Sequence, residues 1–318
     1  MKQAALALIR MFALPFVAVL APLFLVVART GVGASVCRWF GFQPVLIHYY
    51  QPVPRYEDVP PAWFETPHEP PGVRIDRQRI REQLERLAAF AGECVWPDRP
   101  PADGGYYATN PSFGYSSAAI LHTMIRAHGT ARVLEVGGGF SSLISLAALA
   151  KNRPDGGFRF TSIEPYPSER LRSACARSAG PAELLERKAE QVVLDVYTSL
   201  GENDVLFIDS SHVAKLASDV NFLYLEVLPR LRPGVIVHVH DIYLPYEYPR
   251  VHFTGRHKLY WNEQYVLAAF LSENGRWEVL LPGYHVQRDM ADAFQAAFPG
   301  YSPQRHRPTT SFWMRKLR

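Results

Sequence analysis

A five-residue apolar run, RVLEV at 132–136, ends on three consecutive glycines, Gly137, Gly138 and Gly139, and passes at once into a helical pattern through Ser141 to Ala150. A strand that hands over to a helix across bare glycines leaves the turn open, because no Cβ blocks an approaching ligand or second backbone. The helix start also offers N–H groups that have no intrahelical partner. The same alternation continues to the C-terminus. FRFTSIE (158–164) is followed by a helix through Leu171 to Ala176, then AELLERK (182–188), DVLFIDS (204–210), a long amphipathic helix from Lys215 to Leu231 and GVIVHVHD (234–241). A helix through Asn262 to Leu271, WEVLL (277–281) and SFWMRK (311–316) complete the series. Strands alternating with helices predict an α/β fold in which a mostly parallel, seven-stranded sheet is covered by helices on both faces.

Ahead of this core the chain changes character. Met11 to Ala28 is 18 residues without a charge, which just reaches the length of a bilayer-crossing helix. Pro15 and Pro22 should kink it, and cations stand on both sides, Lys2 and Arg10 before it and Arg29 and Arg38 after it, so orientation is not readable from charge. A signal peptide and a helix packed on the protein's own core are the alternatives. Residues 43–72 are rich in proline and aromatics and read as an extended strap. Ile80, Leu84, Leu87 and Ala91 then fall at helical spacing behind Asp76, a fitting N-cap, and a further helix covers Ser116 to Ala127. The expected organisation is an N-terminal hydrophobic segment at 1–42, a strap with an amphipathic helix at 43–110 and the α/β domain at 111–318. The net charge of +4 carries no basic stripe interleaved with aromatics, so no nucleic-acid partner is expected. Cys37, Cys94 and Cys175 lack the spacing of a zinc site or a disulfide framework.

In open α/β sheets ligands bind beyond the carboxyl ends of the strands. Glu164 closes the second strand 25 positions after Gly139, where a carboxylate can hold two ribose hydroxyls. A dinucleotide fingerprint would place a third glycine where Ser142 stands, so an NAD-linked oxidoreductase and a glycine turn that merely permits close packing remain as alternatives. Asp209, Ser210 and His212 follow the fourth strand; His238, His240 and Asp241 end the fifth, with both histidines on one side of the sheet. These groups suit a neutral-imidazole general base, His212 or His240, with Asp241 beside it. They also suit a divalent metal that lowers the pKa of an acceptor hydroxyl. His238 is the one expected to be merely buried and satisfied. The insertion from Tyr243 to Tyr265 is rich in Tyr, Trp and His; Tyr243, Trp261 and Glu263 are its candidate substrate contacts, against the plainer reading of aromatics packed in a lid or dimer interface.

The series EVGGG with Glu164, FIDSSH and LPRLRPGVIVHVHD resembles class I S-adenosylmethionine (AdoMet)-dependent methyltransferases, and within them a bacterial small-molecule group often linked to surface-polysaccharide or natural-product genes. HYYQPVP, FGYSS, WNEQY and SFWMRK resemble that group's flanking segments, so the likeness runs from about Gln43 to the C-terminus. It implies a Rossmann-like fold and AdoMet as cofactor. Glu135, Gly137, Gly138, Gly139 and Ser141 would hold the amino-acid end, Glu164 the ribose, and Glu190 and Gln191 would lie near the adenine. Asp209 would stand beside the sulfonium, and Tyr107, Asn110, Phe113 and Tyr115 would close over the cofactor. Similarity to catechol and macrolide-sugar O-methyltransferases extends the set to a magnesium-type metal held by Asp209, His240 and Asp241, although His240 stands where those enzymes carry an acid. The resemblance implies O-methylation of a saccharide, lipid-linked or natural-product intermediate by a membrane-associated enzyme. Its catalytic domain would face the cytosol, where AdoMet is made, with an oligomer allowed. A membrane-tethered scaffold that keeps the fold without the chemistry is the non-enzymatic alternative.

Overall fold

The computed structural model describes residues 2–254 and 258–318, and these fall into two compact units, one of residues 1–61 with 253–260 and one of 62–252 with 261–318. The division at 61/62 falls inside the strap read at 43–72. The second half of the strap and the amphipathic helix therefore belong to the α/β unit. Residues 255–257, inside the aromatic insertion, lie outside the described residues.

In the first unit α1 (Lys2–Thr30) is a single helix that carries both Pro15 and Pro22. Its segment Met11–Thr30 has a mean hydropathy of 2.6, and Phe12, Leu14, Phe16 and Val19 stand exposed along it. A short helix at Ala34–Trp39 follows, with Trp39, Phe40, Tyr49 and Tyr50 exposed beyond it.

In the second unit the strands β1 (Arg132–Val136), β2 (Arg159–Ile163), β3 (Ala182–Leu185), β4 (Val205–Ile208), β5 (Ile236–Val239), β6 (Trp277–Pro282) and β7 (Phe312–Lys316) form one sheet. Its order is β3-β2-β1-β4-β5-β7-β6. The first five strands pair in parallel, and β7 runs antiparallel between β5 and β6. This is the seven-stranded, mostly parallel Rossmann-like sheet expected. Helices α2 (Arg77–Ala88), α3 (Tyr115–Ala127), α4 (Phe140–Asn152), α5 (Glu169–Ala176) and α6 (Glu263–Leu271) flank it, and two apolar clusters fill its two sides. Asp76 caps α2 by accepting the amides of Gln78 and Arg79, and its apolar stripe of Ile80, Leu84 and Leu87 is buried. The helix expected at 215–231 starts later and is irregular. Ala217 takes a left-handed φ of 55°, Ser218 caps the turn at Asp219–Phe222, and wider and then tighter turns carry the chain through Pro229. Two short helices, Gly283–Asp289 and Ala291–Ala297, lie between β6 and β7 where none was expected.

The strand order reverses at β1, so β2 and β4 leave it on opposite sides and a crevice opens above their carboxyl ends. Register brings three site positions into line there. Val136 pairs with Ile208 and Ile208 with Val239, so Gly137, Asp209 and His240 stand side by side one residue past the sheet. The Asp209 amide donates to Val136 O at 2.8 Å, and the His240 amide to Ile208 O at 2.8 Å.

Candidate active site

Two cavities open at these strand ends. The larger, about 340 Å³, is walled by Val136, Gly137, Ile163, Glu164, Pro165, Lys188, Ala189, Glu190, Asp209, Ser210 and Ser211 and by the stretch from Lys215 to Asp219. The second, about 240 Å³, is walled by Ser112, Gly114, Ser117, His240, Asp241, Tyr243, Pro249, Tyr284, Arg307, Pro308 and Thr310.

The glycine turn is built for closeness. Gly137 has φ +81°, and a Cβ there would lie 2.1 Å from Asp209 O; a Cβ on Gly138 would meet the Ser162 hydroxyl and Leu171. Gly139 differs, since a Cβ there would meet nothing within 4 Å. The turn thus locks to β4 and α5 through its first two glycines and keeps open space at the third. Glu135 lies beneath it, fully buried and away from either cavity. Its Oε2 accepts the Ser142 hydroxyl at 2.6 Å, Ser142 Oγ accepts the Gly139 amide at 3.0 Å, and Oε1 has no partner. Burial raises the Glu135 pKa to about 8, against the lowering effect of the Ser141 and Ser142 hydroxyls. Glu135 therefore supports the turn from below, reaching Gly139 through one hydroxyl.

Glu164 stands on the wall of the larger cavity, its Oε1 held by the Tyr166 amide at 2.8 Å. Glu190 shares that wall, whereas Gln191 is exposed outside it.

Between the cavities sits His212, buried and at φ +59°. Its Nδ1 pairs with Glu263 Oε2 at 2.7 Å, and its Nε2 faces Asp209 Oδ1 at 3.3 Å and Asp241 Oδ2 at 3.6 Å. Burial disfavours its charge, yet hydrogen bonds to Asp209 and Glu263 and their charges raise its pKa well above the ordinary value. For Asp209 burial pushes upward and is outweighed by the His212 hydrogen bond, with His240 and His212 adding charge, so its pKa is lowered. These carboxylates favour the charged form of His212, with Nδ1 held by Glu263 and Nε2 turned to Asp209 and Asp241, which suits a positioning role better than that of a proton acceptor.

Glu263, expected as a substrate contact, is fully buried at the start of α6 and lines neither cavity; it accepts the Ser210 hydroxyl at 2.8 Å and pairs with His212. Trp261 packs on His212 with ring centroids 4.4 Å apart and lies off both cavity walls. Tyr243 does line the second cavity. His240 is buried between Phe113 and Phe207, lines the second cavity and leaves Nδ1 without a partner. His238 is buried as expected but not satisfied. It is stacked on Trp313 at 4.4 Å with neither ring nitrogen paired, and burial lowers its pKa well below the ordinary value.

Among the described residues, the group whose donor atoms lie within 4.8 Å of one another is Asp209, His212 and Asp241, so His212 takes the place expected for His240 in a metal set. The donors suit a divalent ion, with Glu263 holding the far side of the histidine as metal sites commonly require. Such an ion would displace the His212 proton, because one Nε2 cannot serve both.

The residues expected to close over the cofactor pack elsewhere. Asn110 is buried in a side-chain turn that accepts the Ser112 and Phe113 amides, Tyr107 packs on Phe140 at 5.3 Å, and Tyr115 stacks on His306 at 4.4 Å. None of them, nor Phe113, lines the larger cavity. Conversely Lys188, Lys215, Ser218 and Asp219 of the first cavity and Tyr284, Arg307 and Thr310 of the second escaped sequence reasoning. They sit in loops, at the starts of short helical turns and in the proline-rich tail, where no periodicity marks a wall.

Residues 134–242, from β1 to just past β5, match a family model described as a methyltransferase domain. An uncharacterized protein of Archaeoglobus fulgidus is 29% identical over 180 residues, covering 54% of this chain and 80% of its own length. A Podospora anserina methyltransferase bound to S-adenosylhomocysteine is 17% identical, covering 77% of this chain and 91% of its own, with a TM-score of 0.40. The Burkholderia thailandensis 1,6-didemethyltoxoflavin-N1-methyltransferase is 14% identical over 78% of this chain and 94% of its own, with a TM-score of 0.34.

Proposed function

We propose that this chain, whose residues 134–242 form a methyltransferase domain, transfers a methyl group from AdoMet to a hydroxyl of a small-molecule acceptor at the cytosolic face of a membrane. One observation carries the reading: two cavities stand on either side of a single bridge, with Asp209 on one wall, Asp241 on the other and His212 between them. That is the arrangement a two-substrate transfer needs.

AdoMet, when bound, supplies an electrophilic methyl on a sulfonium. In this reading Glu164 accepts hydrogen bonds from the ribose hydroxyls, the open face at Gly139 admits the amino-acid end, and the Asp209 carboxylate offers negative charge near the cation. The Asp209–His212–Glu263 chain holds that carboxylate ionised and fixed in place. His240, which lines the second cavity beside Asp241, takes the proton from the acceptor hydroxyl, a role that the committed His212 does not suit. The acceptor is a saccharide, lipid-linked or natural-product intermediate. In this reading α1 is the membrane anchor, a role supported by the exposed apolar length of Met11–Thr30.

Isothermal calorimetry of the full chain in detergent micelles against S-adenosylhomocysteine, with NAD as control, tests the cofactor. Micromolar binding, about −8 kcal/mol, is expected for the homocysteine compound alone, and binding of NAD in its place would sink the reading. Asp209→Asn is expected to cut methyl transfer by about 100-fold or more while leaving the fold intact. An unaffected rate would remove Asp209 from the transfer step, and absence of transfer by wild type would point to a scaffold whose site is idle. A second reading, a divalent ion on Asp209, His212 and Asp241, is favoured by the Glu263 support of His212; there the ion would polarise an acceptor hydroxyl. Magnesium or manganese that raises the melting temperature in wild type but not in Asp241→Asn would support it. Charge at the midpoint of α1 tests the membrane role, since Val19→Asp costs about 3 kcal/mol of insertion and should reduce co-flotation with vesicles; unchanged flotation would count against an anchor.

A further inference from the structure

The second cavity is chemically asymmetric. Its wall carries His240 and Asp241, at strand ends beside the His212 bridge, and Arg307, packed against Gly114 at the start of α3. Gly114 caps α3 without a side-chain acceptor, so the first amides of this 13-residue helix keep the positive end of its dipole uncovered. Arg307 is exposed and is tethered beside the start of α3 at two points. Its carbonyl accepts the Ser116 hydroxyl at 3.0 Å, and its Nη2 donates to Asn110 O at 3.0 Å, leaving further guanidinium donors in the fork. Tyr243 and Tyr284, edge to face at 5.0 Å, and Pro249 and Pro308 supply flat walls. About 240 Å³ accommodates one ring and not an oligosaccharide. Among the described residues on this wall the carboxylate is Asp241, held by the Thr310 hydroxyl at 2.8 Å.

From this we infer that the acceptor moiety is a single-ring hydroxy compound bearing an anionic group, with the anion held by Arg307 and the amide end of α3 and the hydroxyl directed to His240. The inference rests on the transfer reading above for the role of the cavity. Charge sets the orientation: an anion placed beside Asp241 is repelled, while one beside Arg307 is paired, so the neutral hydroxyl is the end that reaches the bridge. Arg307 is then a specificity-determining residue, and His240 on the same wall receives the other end. Aromatic hydroxy acids and sugar acids share this chemistry.

Benzoate and benzamide form a matched pair of planar probes that differ in charge, and each is titrated into the full chain in detergent micelles, with and without saturating S-adenosylhomocysteine. Benzoate is expected to bind in the millimolar range and benzamide at least about tenfold more weakly. Arg307→Gln is expected to abolish that preference without changing affinity for S-adenosylhomocysteine, which shows that the variant is folded. Equal affinity for the two probes, a preference that survives Arg307→Gln, or no benzoate binding up to about 50 mM overturns the proposal. Loss of S-adenosylhomocysteine binding in wild type would overturn the cofactor reading alone, because the probe comparison is also scored without it.

Discussion

Gly137→Ala is expected to lower the stability of the α/β unit by about 3 kcal/mol and its melting temperature by roughly 6–12 °C. Two causes add. The left-handed φ of +81° strains any residue with a Cβ, and that Cβ would lie 2.1 Å from the backbone oxygen of Asp209, at the point where β1 and β4 are tied together. Backbone on both sides cannot move aside without breaking the register that sets Gly137, Asp209 and His240 in line. Gly139→Ala is the control. Its Cβ meets nothing within 4 Å and its φ of 177° lies outside the left-handed region, so its stability should stay within about 1 kcal/mol of wild type. Its methyl group would occupy space in the open turn, so affinity for S-adenosylhomocysteine should fall at least about tenfold. Thermal unfolding and calorimetry on the two variants separate the roles. Equal loss of stability in both, or unimpaired binding by Gly139→Ala, would mean that the open side of the turn is not ligand space.

Glu135 should dominate the pH dependence of stability. Its carboxyl is fully buried with one oxygen unpaired, and burial lifts its pKa from 4.5 to about 8. Between these values the folded chain keeps a proton that the unfolded chain has lost. Fewer protons on the unfolded side make stability fall as pH rises, so this contribution is fully present below pH 4.5 and is lost on passing through about pH 8. The shift corresponds to roughly 5 kcal/mol, at about 1.4 kcal/mol per pH unit. Glu135→Gln keeps the shape and an acceptor for Ser142 and cannot ionise. Urea unfolding of wild type and variant at intervals from pH 5 to 8 should show the variant gaining steadily on wild type. Parallel curves would mean that Glu135 ionises normally in the fold, by way of a countercharge near Oε1.

Strand and helix periodicity, read along 132–316, is local chemistry, and it was enough for the β/α alternation, the glycine turn and the polar groups at the ends of β4 and β5. Glu164 and Asp209 lie on the wall of the larger cavity because both close parallel strands flanking β1, a consequence of topology that the alternation already implies. Glu263 shows where that reasoning stops. Its neighbours in sequence, Trp261 and Asn262, gave it the look of a substrate loop, yet it begins α6 and points inward to His212, 51 residues away. The roles of the two histidines were likewise not legible. His212 and His240 are both polar residues at strand ends, and only the three carboxylates gathered around one of them separate a fixed imidazolium from a base.

What the sequence by itself determined is the sequence of elements, the open turn, the membrane-length apolar helix and the residue types available at the sheet's carboxyl edge. Each depends on neighbours within a few positions, where propensity and periodicity act. Only the tertiary structure decided which of those residues face a cavity and which support it. Burial set Glu135 beneath the turn, and β7, inserted antiparallel between β5 and β6, brought the tail with Arg307 and Thr310 to the wall of the second cavity. Desolvation and charge pairing act through space, between residues that the chain itself keeps far apart.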